Sequence, residues 1–467
     1  MRNTLQNIWN EKYKTVPEQL KKIKQIEQAA TGFNANIDAI LKISGKTLKK
    51  LLEENNISVK SLIDTKLNHF KKPTDVLIGI TKCFQKGIAE EWVTEDINIY
   101  NWMDKNLGYQ RLQMGGQGGI IANVLALLGI QKVIAHTNSH PALQAKQFLK
   151  LNNLYGFDNK GALQPAYAIE RKEDIPLLHW IIEFDKGDSF TLNGHTFTCP
   201  KSNRFIATYD PLNMNLVINP HFVDYLSHQK VSYLVLSGFH PLLKKNNGLK
   251  LIDNAVLLIK QWKTANPDMI FHLEIASTQD LAIRKAIATK IAPIADSAGL
   301  NERETIDMLQ VLGKAEMALK IEKETTACNL FDAIMFLKQK LKISRIQMHM
   351  FGLYLTIQDE HFPFTAEQNL KGMMTAAVVA SSKASVGSLN KYADLTKTLG
   401  TPVAKKGLGE LKNLAQKLKK PELAQTGICQ FNGFQISAIP TILVEKPKTL
   451  VGMGDTISSI SLIAGRD

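Results

Sequence analysis

The sequence predicts a layered α/β protein, with a central and mostly parallel sheet and a smaller α+β lobe assembled from two excursions of the chain. Three observations predict it. Apolar runs at 132–135, 231–236, 268–275, 291–295, 345–350 and 441–444 read as buried strands, and amphipathic segments at 249–262, 278–289, 301–312 and 328–340 read as the helices between them. Two stretches break that rhythm: 37–114 mixes helices with short strand-like pieces, and 166–210 alternates apolar and polar residues, as in Leu178-His179-Trp180-Ile181-Ile182-Glu183-Phe184. The length of 467 residues, with 44% hydrophobic and 21% charged content, supports a large core and about two or three domains.

These elements divide the chain into a body of 1–36, 115–165 and 211–467 and a lid of 37–114 and 166–210. In such a sheet, ligands are expected at the carboxyl ends of the strands, and a second lobe adds a cleft above them. Ser/Thr-x-x-Glu/Gln signals a helix start, so Thr365-Ala366-Glu367-Gln368 predicts a helix from 365. Its small residues Ala376, Ala377, Ala380, Ser381 and Ala384 predict close packing behind the end of the chain.

Composition narrows the function. No run approaches the ~20 apolar residues of a membrane span, and Met1-Arg2-Asn3-Thr4-Leu5-Gln6 lacks the apolar core of a signal peptide. A cytoplasmic protein with no membrane partner is expected. Cys83, Cys199, Cys328 and Cys429 stand far apart and suggest neither a zinc site nor a disulfide framework. The net charge of +14 comes from lysines spread along helical segments, so solvated helix faces explain it and no nucleic-acid partner is expected. Such a field would also steer small anions toward a cleft. Nothing marks an obligate protein partner.

The motif richest in chemistry is Gly452-Met453-Gly454-Asp455, between an apolar run and a short apolar helix. Two glycines let backbone N–H groups converge at a helix start, where an anion is stabilised, and Asp455 stands where it can take a proton from a hydroxyl. The same four residues also suit a plain turn with Asp455 as helix cap. Asn36 and Asp38 share one side of an extended chain, as a sugar-binding pair or a polar turn. Met114-Gly115-Gly116-Gln117-Gly118-Gly119 precedes a helix that stops at Gly129; it is neither a Walker A loop nor Gly-x-Gly-x-x-Gly, and serves ligand approach or close packing equally well. His272-Leu273-Glu274 and Asn301-Glu302-Arg303-Glu304 provide carboxylates for a hydrated Mg²⁺, although the second is also a capping pattern and the first also fits a buried pair. Arg204 is a candidate for reaching a transferring phosphoryl group from the lid, and as a lone arginine it equally suits an ordinary surface salt bridge.

In this order, Asn-x-Asn-x-Asp, the double-glycine loop, His-x-Glu, Asn-x-x-Glu and the terminal Gly-x-Gly-Asp resemble the ADP-dependent sugar kinases, the ADP-specific phosphofructokinases and glucokinases of the ribokinase-like superfamily. The resemblance spans nearly the whole chain. It implies a ribokinase-like αβα body under a lid, with Asp455 as catalytic base, Gly452, Met453 and Gly454 as the anion hole, and Arg204 bridging phosphates. Glu274 and Glu304, with Asp455, would organise Mg²⁺ through water. Asn36, Asp38, Gly115, Gly116, Gln117 and His179 would contact the sugar, and Val444, Asn301 and Gly454 the nucleotide. The implied reaction passes the β-phosphoryl group of ADP to fructose 6-phosphate, with glucose as a second acceptor. The use of ADP rests on the resemblance alone. Glu91, or its neighbour Glu90, is associated with glucose, and Arg171 with Lys172 is associated with the sugar phosphate. The alternatives are a glucokinase only, an ATP-using ribokinase-like kinase, and a basic nucleic-acid-binding protein.

Overall fold

The computed structural model describes residues 4–63 and 65–466. An eleven-stranded sheet forms the body, in the order Ile428–Phe431, Phe434–Pro440, Leu353–Asp359, Arg345–Met350, Ser297–Asn301, Ile270–Glu274, Tyr233–Leu236, Gln28–Gly32, Lys132–Ala135, Leu154–Phe157 and Leu163–Pro165. From Arg345–Met350 to Leu154–Phe157 every neighbouring pair is parallel, and antiparallel strands close both edges. The central strands are apolar on both faces because helices cover both, as Tyr233–Leu236, buried at every position, illustrates.

The strand order explains where a site can form. From Gln28–Gly32 the order runs outward to Lys132–Ala135 and Leu154–Phe157, whereas the later strands Tyr233–Leu236, Ile270–Glu274 and Ser297–Asn301 accumulate on its other side. The connections after Gln28–Gly32 and Tyr233–Leu236 therefore diverge, leaving a crevice at their carboxyl ends. The chain leaves the body at that crevice through Phe33–Ala35 and enters a second sheet.

This second sheet has the order Glu90–Thr94, Asn203–Tyr209, Leu178–Phe184, Asn36–Lys42 and Arg111–Gly115. Its alternation gives two unlike faces. Trp92, Trp180, Ile182, Phe184 and Phe205 pack with Phe84 and Leu48 into a core separate from that of the body. The register places Asp38 beside both His179 and Gln113, Thr208 beside His179, and Ile206 beside Glu91, so these residues share the opposite, largely polar face.

Two strand expectations are corrected. Residues 291–295 are not a strand: the helix Leu281–Ala286 runs on through the wider turn Ile287–Ile291 into a short 3₁₀ turn, Ala292–Ile294. Pro293 lacks the N–H a ladder needs. The strand comes two residues later as Ser297–Asn301, whose small residues hide it from an apolar search. They are small because a Cβ at Gly299 would stand 2.4 Å from that of Ser458 on the terminal helix. Residues 441–444 also form no ladder; the strand there is Phe434–Pro440, ending at a proline.

The helix Ala366–Val386 starts with the expected capping box and lies against the terminal helix Met453–Ile463. Arg345, fully buried, fixes the two together. Its guanidinium donates to Asn369 Oδ1 at 2.9 and 3.0 Å, to Ser461 Oγ at 2.9 Å and to Ser297 Oγ at 3.0 Å. The terminal helix, and the turn that starts it, are thereby held at a fixed height above the sheet.

Close approach of these helices has a measurable consequence. A Cβ on Gly372 would lie 2.3 Å from the Ser461 carbonyl oxygen, and backbone cannot swing aside. Gly372→Ala should lower stability by about 1–3 kcal/mol in denaturant unfolding. Gly409→Ala, in a helix with no atom within 4 Å of the added Cβ, should raise it by about 1 kcal/mol. Equal effects would refute the packing account.

Candidate active site

The terminal helix begins at Gly452, whose φ of +61° suits glycine, and its first turn is Met453-Gly454-Asp455. The first N–H groups of a helix lack intrahelical partners, so this turn presents donors. Gly454 must also be small, since its Cβ would lie 2.9 Å from His349 Nε2.

Asp455 is 8% exposed and accepts a 2.8 Å hydrogen bond from Gln117 Nε2. Burial raises its pKa, while the Gln117 bond and the Lys383 charge pull it down. Gln117 accepts in turn from Ser237 Oγ, at the end of the Tyr233–Leu236 strand. A first-turn residue of the Gln117–Leu128 helix and a residue from the central crevice thus fix the carboxylate's direction. Lys383 Nζ donates to the Gly452 carbonyl at 3.0 Å and to Thr456 Oγ1 at 3.2 Å. Burial lowers its pKa to about 8, against the charges of Asp455 and Asp38.

Glu274 closes the Ile270–Glu274 strand and is 4% exposed. It accepts from Ser458 Oγ and stands 3.3 Å from His272 Nε2. Burial, then the charges of Asp455 and Glu304, push its carboxyl well above the usual range. His272 is held neutral, its pKa drawn down to about 3 by burial and Arg345, so it is no counter-ion for Glu274. Glu304 completes the capping box with Asn301: its Oε2 accepts from the Asn301 N–H at 2.8 Å and its Oε1 from Nδ2 at 3.1 Å. Burial raises its pKa to about 8, the Asn301 N–H opposes this, and the charge of Asp455 adds to it. Capping and proximity to Asp455 therefore coexist in one residue. Among the described residues no three His, Cys, Asp or Glu side chains are placed to ligate a cation directly. Three buried carboxyls, two of them pushed up by the charge of Asp455, nonetheless suit a cation held through its waters.

The lid sheet places the other predicted residues. Asn36 and Asp38 share a face as expected, joined by a 3.2 Å bond from Asn36 Nδ2 to Asp38 Oδ1. A Cβ on Gly115 would meet both, at 2.3 and 2.2 Å, and one on Gly116 would lie 2.6 Å from Asn36 Oδ1. The double glycine is thus the close crossing of lid and body. Burial raises Asp38 to about 6, against the His179 charge. His179 donates through Nε2 to Asp210 Oδ2 at 3.0 Å; burial opposes its charge, but Asp210, Glu91 and Asp38 keep its pKa raised. Glu91 lies on the polar face and accepts from Thr208 Oγ1 at 2.7 Å. Glu90 lies on the other face, bonded to Lys82 and to Trp92 Nε1.

Other predicted residues stand apart. Arg204 is exposed on the polar face, four residues before Thr208 and therefore about 13 Å along the strand. Arg171 is buried, with Nη2 donating to the Thr137 carbonyl at 3.2 Å and Nε lying 2.8 Å from Asp174; Lys172 beside it is exposed. Val444 is partly buried in the irregular segment after Pro440.

Sequence reasoning missed Lys383, Ser237, Ser458, Asp210 and His349. Lys383 carried a signal, as a lysine within the small-residue stripe that faces the terminal turn. The others follow strand ends or face across helices, and only the fold brings them to the crevice.

A family model described as the ADP-specific phosphofructokinase/glucokinase conserved region matches residues 27–464. An ADP-specific phosphofructokinase of Pyrococcus abyssi is 31% identical over 93% of this chain and 96% of its own. An ADP-dependent glucose/glucosamine kinase of the same organism is 29% identical over 98% of each chain. A solved structure described as the last common ancestor of ADP-dependent phosphofructokinases from Methanosarcinales superposes with a TM-score of 0.85 at 30% identity, covering 98% of this chain and 97% of its own. An ADP-dependent kinase in complex with fructose 6-phosphate and ADPβS gives 0.82 at 28% identity, with the same coverage.

The raised carboxyls predict how stability depends on pH. Between about pH 4.5, where a free glutamate ionises, and about pH 8, the native state keeps the Glu304 proton that the unfolded chain has released, so stability falls as pH rises. With chelator present, Glu304→Gln should gain stability relative to the unaltered chain from pH 5 to pH 8 in denaturant unfolding. A difference that stays constant with pH would contradict this.

Proposed function

The chain belongs to the ADP-specific phosphofructokinase and glucokinase family, and from that premise we propose that it transfers the β-phosphoryl group of ADP to fructose 6-phosphate, giving fructose 1,6-bisphosphate and AMP. The observation that carries this reading is Asp455, buried, aimed by Gln117 and seated in the first turn of a helix whose N–H groups face the cleft. ADP as donor is supported by the family and by the relative bound to fructose 6-phosphate and ADPβS.

In this reading the sugar lies between the crevice and the polar lid face, oriented by Asn36, Asp38, Gly115, Gly116, Gln117 and His179. Asp455 takes the proton of the attacking hydroxyl as the new O–P bond forms in line with the departing AMP oxygen. The N–H groups of Gly452, Met453 and Gly454 receive the charge on the transferred group, an arrangement that works because the donors are already oriented. Asn301 and Gly454, with Val444 beyond them, border the nucleotide. Lid closure carries Arg204 the remaining distance to the phosphates. Glu274 and Glu304, with Asp455, would hold hydrated Mg²⁺, which when bound offsets the negative charge of the phosphates. Lys172, which is exposed, would meet the sugar phosphate, and Arg171 would join it by exchanging Asp174. The body of 1–36, 115–165 and 211–467 and the lid of 37–114 and 166–210 are the two moving parts, acting in the cytoplasm.

Glucose is the second acceptor, favoured by Glu91 on the polar face, where a carboxylate accepts from a hydroxyl and repels a phosphate. Asp455→Asn should lower kcat at least ~100-fold with the sugar KM little changed. Glu91→Ala should lower glucose phosphorylation while fructose 6-phosphate use is kept or improved. Near-normal turnover in folded Asp455→Asn would end the assignment of the base, and parallel changes in both acceptors would end that of Glu91.

A further inference from the structure

We propose that Lys383 is a positioning residue of the phosphoryl transfer, its ammonium acting from behind the Gly452 turn to orient and polarise the donors that receive the transferred group. This rests on the function proposed above. Lys383 projects from the helix Ala366–Val386 and donates to the Gly452 carbonyl at 3.0 Å. That carbonyl and the N–H of Met453 belong to one planar peptide unit and point in opposite directions. A positive charge on the oxygen therefore draws electrons away from the N–H on the cleft side, making it a stronger donor. Its second bond, 3.2 Å to Thr456 Oγ1, engages a hydroxyl that itself donates to Gly452 O at 2.7 Å, so one ammonium fixes the turn at two points.

The remaining surroundings favour a charge rather than packing. The groups facing the ammonium are Asp455 on the terminal helix and Asp38 on the lid strand, both buried carboxyls that its charge helps keep ionised. Lys383 also lines a cavity of about 270 Å³ together with residues of the lid strand Arg111–Gly115 and the Gln117–Leu128 helix, and among the described residues its lining includes Arg111 and Lys146 but no carboxylate. A lysine placed only to fill space would not need to cap a carbonyl already bonded by the Thr456 N–H at 3.2 Å. The Lys383 charge also bears on Asp38 of the lid sheet while its ammonium is bonded to Gly452 of the body.

The cavity provides a direct test, because it opens a path by which a small amine can replace the lost ammonium. Lys383→Ala and Lys383→Met should lower kcat for fructose 6-phosphate by about 100-fold, the scale of one lost charge-stabilising donor, with its KM changed less than about threefold. Propylammonium should restore the kcat of Lys383→Ala at least about tenfold, propanol should not, and Lys383→Arg should keep most of the activity. The inference is overturned if folded Lys383→Met stays within about threefold of normal kcat, if the loss falls on KM, or if propanol restores activity as well as propylammonium. If Asp455→Asn loses turnover while Lys383→Met does not, this inference alone fails; if Asp455→Asn keeps it, the proposed function fails first.

Discussion

Glu274, Glu304 and Asp455 bring three carboxyls to the carboxyl ends of the central strands, where burial and the charge of Asp455 make ionisation of Glu274 and Glu304 harder. Burial of this kind is expensive unless charge is neutralised, shared or hydrogen-bonded. The surrounding structure supplies hydrogen bonds and one cation. Ser458 and Gln117 supply hydrogen bonds, Asn301 caps Glu304, and Lys383 is the cation whose charge bears on Asp455. His272 and His349 remain neutral, so they fill space beside the cluster without cancelling its charge. A site left partly uncompensated in this way is ready for a cation, and the fold keeps it so through rigid neighbours.

That rigidity comes from beneath. Arg345 ties Ser297, Asn369 and Ser461 together under the terminal helix, and Gly299 and Gly372 allow that helix to lie almost on backbone. The terminal helix therefore has little freedom to tilt, and Asp455 in its first turn has little freedom to move. The lid is held differently. It has its own core and joins the body through short crossings at Phe33–Ala35 and Gly115–Gly116, where Asn36 and Asp38 press on glycine. The Asp455 turn thus stands on the body sheet, and Asp38, Glu91 and His179 stand on the separately cored second sheet.

Much of this is legible in the sequence because the features involved are local. Buried parallel strands such as 132–135 and 345–350 announce themselves by composition, capping boxes by spacing, and the Gly-x-Gly-Asp turn by two glycines before an acid. The Ser297–Asn301 strand was illegible because close packing by Ser458 requires small residues, which look like a loop, while the apolar run before it is interrupted by Pro293. The choice between Glu90 and Glu91 needed the strand register, since adjacent residues differ only in which face they take. Ser237 and Asp210 were hidden for another reason. Each reaches the crevice from a segment distant in sequence, with no motif around it, so only the assembled sheet shows what it touches.

Transfer of the β-phosphoryl group of ADP to a sugar hydroxyl rests on this buried carboxylate and donor turn. It is tested most directly by ³¹P NMR of reactions pairing ADP or ATP with fructose 6-phosphate or glucose in the presence of Mg²⁺. AMP and fructose 1,6-bisphosphate should appear one for one from ADP, with glucose 6-phosphate formed when glucose is the acceptor. Turnover with ATP alone, or AMP released without a phosphorylated sugar, would contradict it.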